Sequence, residues 1–346
     1  MKQQCDPAGM TEKPVRVRTI AELAKIAGVT SGTVSRALSG SPLVKERTRE
    51  HILALAREYD FRPNQMASRL RMQRTGVIGV VVPLGHEKRQ HLSDPFFMAM
   101  LGALADALTE NGHDIMLSRV IPDTHDWLER IVDSGMLDGV LLIGQSDQMD
   151  AIERVAQRYR PLVAWGAVLP GMSHCAVGTD NLAGGKLAAG HLIERGAKRL
   201  AFLGEIRAPE IRARYDGACA AAAAYGLAAP IQLKAHLASD IMGREVARRI
   251  GEMAQDIDGI VAATDLLAMN AIRVLADRAI DVPARVRVIG YDDLPLAEQT
   301  VPRLSTIRQD IVRGARAMVD ALFRRIADED TPSLELPPKL VVRDSS

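Results

Sequence analysis

Residues 19–38 read TIAELAKIAGVTSGTVSRAL, and the spacing within them decides the fold of the N-terminal part. Ile20, Leu23, Ala24 and Ala27 stand at i, i+3, i+4 and i+7, so one apolar face runs along a helix from about Thr19 to Ala27. Gly28 ends it, because glycine takes the positive φ of a helix stop without steric cost. Thr30 or Ser31 can then cap a second helix, with Val34, Ala37 and Leu38 turned inward and Ser31, Gly32, Ser35 and Arg36 turned outward. Two short helices about a glycine turn make a helix-turn-helix, whose second helix enters the major groove. On that helix, which Thr30 opens, Arg36 can donate a bidentate pair to guanine O6 and N7. Ser31 can reach a base edge or a phosphate, and Thr33 and Ser35 suit backbone oxygens.

Outward from this stretch, Ile52, Leu55, Ala56 and Tyr59 predict a third helix over about Lys45 to Tyr59, closing a three-helix head over 19–63. A basic protein-docking bundle would show the same periodicity. Charge favours nucleic acid: residues 1–75 carry fourteen Lys and Arg against seven Asp and Glu, a net +7, and the remainder carries 30 against 36, a net −6. A basic end gains affinity for phosphates by releasing their counterions, whereas an acidic body suits small ligands or proteins. Met1 to Arg18 holds Pro7, Gly9 and Pro14 without periodicity and is expected to be disordered, with Arg16 and Arg18 free to meet phosphates.

Past Arg74 the run Val77-Ile-Gly-Val-Val-Val-Pro83 begins an alternation of short apolar strands and amphipathic helices. Further strands are predicted at 114–118, 139–143, 162–165, 200–204, 259–263 and 286–290. Helices are predicted at 97–110, 184–195, 214–225, 242–254 and 267–278. Such alternation argues for parallel sheets covered by helices, with ligand sites at the carboxyl ends of the strands. With 47% hydrophobic residues in 346, one or two large cores are affordable after a small head. No apolar run approaches the roughly 20 residues of a membrane helix. Cys5, Cys175 and Cys219 are too few and too scattered for a disulfide framework or a metal site, so no metal or other cofactor is expected and a cytoplasmic location is. A doubly wound enzyme is the rival class. Gly184-Gly185 lacks phosphate-loop spacing and reads as close helix packing, and neither a G-x-S-x-G elbow nor H-E-x-x-H occurs.

Residues 19–29, Thr33-Val-Ser-Arg-Ala-Leu38, Phe61-Arg-Pro-Asn64 and Ala67-Ser-Arg-Leu-Arg71 resemble the lactose/galactose repressor (LacI/GalR) family, and the likeness continues to about Asp310. The resemblance implies a DNA-binding regulator, a repressor of a carbohydrate-utilisation operon that holds a pseudo-palindromic operator as a homodimer, or as a tetramer, under the control of a small effector. It implies a hinge over 64–75, helical only on DNA, in which Asn64 and Arg69 meet the operator and Leu70 wedges into the minor groove. A helix that short is unstable alone, and an apolar wedge bends the duplex. Two departures bear on recognition: Ser68-Arg69 reverses the family's usual order, and Gly32 offers no side chain to a base.

For the body the resemblance implies a periplasmic-binding-protein-like pair of doubly wound subdomains, 76–179 with 309–330 and 180–308 with 331–346, joined by three crossings. A sugar would bind in the cleft between them. Arg214 and Asp292 match the family's effector-binding arginine and acid, a pairing that suits hydroxyls able to donate and accept. Asp180 stands at a strand end. Asp94-Pro-Phe96-Phe97 resembles the Asn-Pro-Phe-Phe loop, Trp165 ends a strand, and Thr264-Asp265 replaces the usual Asn-Asp. A salt bridge or a helix cap is the plain alternative for each of these polar groups. A purine co-repressor, encouraged by Trp165-Gly166, and a sugar sensor without DNA activity are the alternative functions.

Overall fold

The computed structural model describes residues 17–61, 74–85, 88–238 and 240–346, which fall into two units, 1–75 and 76–346. The hinge residues Asn64, Arg69 and Leu70 lie outside the described residues, as do 1–16.

In the first unit α1 (Ile20–Ala27) starts on a capping box: Glu22 N donates to Thr19 Oγ1 at 3.2 Å and Thr19 N to the Glu22 carboxylate at 3.3 Å. Each bond satisfies an amide that the first helical turn leaves without a partner. Gly28 closes the helix at φ +63°. The cap of α2 (Ser31–Leu38) is Thr30, whose Oγ1 accepts from Thr33 N at 3.2 Å. With α3 (Glu46–Glu58) these helices bury Leu23, Ala24, Val34, Ala37, Val44, Ile52, Ala56 and Phe61 in one small core. Val17 is buried in that core too, and Arg18 N donates to Glu22. Residues 17 and 18, expected in a disordered segment, therefore belong with the head, because an apolar side chain just before the cap finds the apolar end of α1 to cover.

The second unit holds two six-stranded sheets. In the first, β1 (Val77–Pro83), β2 (Asp114–Val120), β3 (Gly139–Ile143), β4 (Leu162–Trp165) and β5 (Cys175–Thr179) are parallel, with β1 between β2 and β3. Its helices are α4 (Pro95–Glu110), α5 (Trp127–Val132) and α6 (Met149–Ala156). The second sheet contains β6 (Leu200–Leu203), β7 (Ile231–Leu233), β8 (Gly259–Ala262), β9 (Arg287–Asp292) and β10 (Ser305–Arg308), also parallel. Around it lie α7 (Asn181–Glu194), α8 (Pro209–Ala224), α9 (Met242–Met253) and α10 (Asp265–Ala276). Runs such as Val80-Val-Val82 and Val140-Leu-Leu-Ile143 are buried throughout, as strands covered on both faces require.

The chain then returns. In α11 (Ile311–Ile326), Ala315, Met318, Val319 and Leu322 pack into the first subdomain's core beside Val80, Met100 and Leu141. β11 (Leu334–Leu336) pairs in parallel with β5, and only β12 (Lys339–Val341) crosses to lie antiparallel to β10. Residues 331–336, expected in the second subdomain, therefore belong with the first sheet. The short strand covers an edge that β5 would otherwise leave open, and the third crossing falls at 337–338.

Gly184 and Gly185 sit where α7 meets its neighbours: a Cβ on Gly185 would lie 2.0 Å from the Arg214 carbonyl oxygen, and one on Gly184 would lie 2.2 Å from Tyr291 Oη. Among the described residues no helix is long and apolar enough to cross a membrane.

Candidate functional site

On the head, Ser31, Gly32 and Arg36 are exposed together on one face of α2, with Thr33 and Ser35 half-buried beside them. Thr30 divides its hydroxyl between the cap and Thr33 Oγ1, 2.9 Å away, so its main task here is structural. Arg36 lies back along the helix, its Nε donating to the Gly32 carbonyl at 3.1 Å, and a Cβ on Gly32 would meet Arg36 Nη2 at 3.6 Å. A methyl group there would rest in ordinary contact with the guanidinium without displacing it. Replacing Arg36 with Ala is expected to cost about 1–3 kcal/mol of operator binding and to relax discrimination at one base pair; a mobility-shift titration over operator variants measures both.

In the body a cavity of about 690 Å³, part of it open to solvent, lies between the two subdomains. Pro83 of β1, Ile143 and Gly144 at the end of β3, Trp165 of β4, Thr264 after β8 and Asp292 of β9 all line it, so both sheets point their carboxyl ends at the same space, as open α/β sites do. Phe96 and Phe97 contribute a half-buried apolar wall, their rings edge to face at 6.0 Å. Trp165 is almost wholly buried, and a Cβ on Gly314 of α11 would meet its ring at 2.2 Å. The edge of the indole therefore packs against α11 while the residue also lines the cavity.

Arg214, on the inward side of α8, is fixed from several directions. Its Nε donates to Asn181 Oδ1 at 2.8 Å, its Nη1 donates to the Ala263 carbonyl at 2.6 Å, and its guanidinium lies 3.7 Å over the Tyr291 ring. Nη2 takes no part in either hydrogen bond. Asp292 Oδ1 stands 3.9 Å from Nη1 and accepts from Gln309 Nε2 at 2.7 Å, whereas its Oδ2 is buried with no partner. An orphaned carboxylate oxygen is costly unless a ligand supplies the donor. Asp292 also holds φ +121°, a strained conformation for a side-chain-bearing residue at the wall of a site.

Burial pushes the Asp292 carboxyl up to about 7 despite the opposing pull of Arg214. A folded pKa above the unfolded value means that the native state holds the proton more tightly. The associated stability is full below the unfolded pKa and is lost as pH rises through about 7. Through this group the melting temperature is expected to fall between about pH 4 and pH 7 and to level off above that, and Asp292→Asn is expected to flatten the fall; thermal unfolding of both proteins from about pH 4 to pH 8 measures it.

Two expected ligand residues stand elsewhere. Asp180 Oδ1 accepts from Ala183 N at 2.9 Å and caps α7, the plain alternative for a strand-end acid, and it does not line the cavity. Asp265 is fully buried: its Oδ1 accepts from Thr306 Oγ1 at 2.5 Å and its Oδ2 from Leu294 N at 2.8 Å. Burial, then the neighbouring Asp292, raises its pKa well above the usual range. It braces the ends of β9 and β10, and its neighbour Thr264 lines the cavity instead. The sequence reading missed Gln90, Asp94, Glu210 and Gln309, all of which line the cavity. Of these only Asp94 stood in a recognisable motif, and its carboxylate caps α4 by accepting from Phe96 N at 2.9 Å.

Residues 19–64 match the bacterial regulatory proteins of the lacI family, and residues 189–346 match the periplasmic binding protein-like domain. The transcriptional regulator CelR of Thermobifida fusca is 31% identical over 94% of this chain and 98% of its own length. The chain belongs to the LacI family. It is a helix-turn-helix, DNA-binding transcriptional regulator with a periplasmic-binding-protein-like body. Among LacI-family relatives, the ribose operon repressor of Halalkalibacterium halodurans is 28% identical over 95% of this chain and 97% of its own. A CelR–cellobiose complex superposes with a TM-score of 0.69 at 29% identity, covering 95% of this chain and 99% of that one. The Lac repressor dimer bound to operator shares the fold, with a TM-score of 0.83 at 22% identity over 95% of this chain and 99% of that one.

Proposed function

We propose that this LacI-family protein is a cytoplasmic repressor of carbohydrate utilisation that binds a pseudo-palindromic operator as a homodimer and answers to a sugar in the interdomain cleft. The observation that carries the reading is the pairing of Arg214 with Asp292 in the cavity wall, where Asp292 Oδ2 has no protein partner. A hydroxyl that donates to the carboxylate and accepts from the guanidinium fits such a pair. Phe96 and Phe97 supply an apolar face for the ring. In the head, Arg36 and Ser31 read bases while Thr33 and Ser35 position the helix, and Asn64, Arg69 and Leu70 extend the contact into the minor groove. Sugar binding favours one closure of the two subdomains, and operator affinity changes only as far as the sugar's affinity differs between closures. A purine co-repressor is the weaker reading, since the Arg214–Asp292 pair calls for hydroxyls, while Trp165 lines the cavity with its ring edge against α11.

The test is selection of DNA from a random pool by the full-length protein, followed by a mobility-shift screen of sugars for release. A palindromic consensus released by a sugar is the expected result. Recovery of non-palindromic DNA, or release by nucleobases alone, would sink the proposal.

A further inference from the structure

We infer that the cleft selects an unphosphorylated, non-anionic sugar and rejects its phosphate ester. This rests on the reading of the cleft as a sugar site and adds the charge of the ligand. Three carboxyls line the cavity, Asp94, Glu210 and Asp292, against a single base, Arg214; no lysine or histidine lines it among the described residues.

The wall's hydrogen-bond inventory points the same way, because much of its donor capacity is already committed within the protein. Gln90 Nε2 donates to Asp94 Oδ2 at 2.9 Å, Gln309 Nε2 to Asp292 Oδ1 at 2.7 Å, and Ser146 Oγ to Asp147 Oδ1 at 3.1 Å. Arg214 spends Nε on Asn181 and Nη1 on Ala263. Asp292 Oδ2, by contrast, is a buried acceptor without a donor. A phosphate dianion brings acceptors only, so wherever it meets this wall it adds charge beside the acids and offers none of them a donor. Sugar hydroxyls bring the donors this wall lacks.

Burial has raised the carboxyls of Asp94, Glu210 and Asp292, so this desolvated wall already disfavours negative charge and would disfavour an added anion. Glu210 carries this acidic character across the cleft. Its Oε1 would stand 2.8 Å from a Cβ on Gly166, so this acid on α8 reaches the loop after β4 across the cleft.

The experiment compares glucose, fructose, trehalose and maltose, each against its own phosphomonoester at equal concentration, by thermal shift on the full-length protein and on Asp292→Asn. The expected result is that at least one free sugar raises the melting temperature of the wild-type chain. Its ester should bind at least ten times more weakly, and Asp292→Asn should lose the response. An ester that stabilises the protein as well as or better than its free sugar overturns the inference and leaves the sugar reading standing. A panel in which neither sugars nor esters move the transition overturns the sugar reading and the inference with it.

Discussion

Arg214→Ala is expected to leave operator binding in place while weakening the effector by about 100-fold or more, roughly 3 kcal/mol, so that the variant represses in the presence of a ligand that releases the wild type. The guanidinium is held before any ligand arrives, by Asn181, the Ala263 carbonyl and the Tyr291 ring. Its hydrogen bonds to a ligand therefore cost little ordering, and each such charged bond is worth about 1.5–3 kcal/mol. Truncation also removes the cation beside Asp292, whose carboxyl is already raised by burial. At acid pH the carboxyl can stay protonated and the loss of stability is modest. Above about pH 7 the same carboxyl must either carry an uncompensated buried charge or hold its proton against the solvent, and the loss grows. The variant's melting temperature should thus fall more steeply with pH than the wild type's. Arg214→Lys keeps the charge but not the planar fork, and should recover the pH profile better than the effector affinity. An effector response in Arg214→Ala equal to the wild type's would remove Arg214 from the site.

The two sites differ in how far a sequence discloses them. The head is local: its helices and core follow from residues three and four apart, and the Gly28 stop stands where periodicity places it, with the Thr19–Glu22 box added at the start. In the body, long apolar strands such as β1 and β3 declare themselves, but β5, with Cys, Ala, Val, Gly and Thr, and the three-residue β7, β11 and β12 carry little signal. Pairing partners far along the chain fix these, and the misplacement of 331–336 has that cause. The cavity residues divide likewise. Arg214, Asp292, Phe96, Phe97 and Trp165, expected from motifs, do line it, yet motif position alone could not distinguish Asp180, a helix cap, or Asp265, a buried brace, from a ligand group. Gln309 and Gln90 belong to the wall only because separate crossings and loops deliver them there, which no local pattern records.

Gly185→Ala, which adds one methyl group away from the ligand, is expected to destabilise the second subdomain by about 3 kcal/mol or more and to impair the effector response. The usual range for overpacking is about 1–3 kcal/mol where side chains can shift. Here the obstacle is backbone: the new Cβ would stand 2.0 Å from the Arg214 carbonyl oxygen and 3.0 Å from its Cα, where ordinary contact begins at 3.4 Å. The reverse face of the pair is equally tight, since a Cβ on Gly217 of α8 would lie 2.1 Å from the Leu182 carbonyl. Neither helix can yield by rotating a side chain, so α8 must move away from α7 and carry Arg214 out of reach of Asn181 and Ala263. Gly190 supplies the control on the same helix. A Cβ there meets nothing within 4 Å, so Gly190→Ala relieves only the entropy of a helical glycine and should stabilise by about 0.5–1 kcal/mol. Denaturant unfolding of the two variants should therefore give shifts of opposite sign. A Gly185→Ala protein as stable as Gly190→Ala would mean that the helices are not in backbone contact at this position. If Gly185→Ala is destabilised but its effector affinity is intact, α8 does not position Arg214 through this contact.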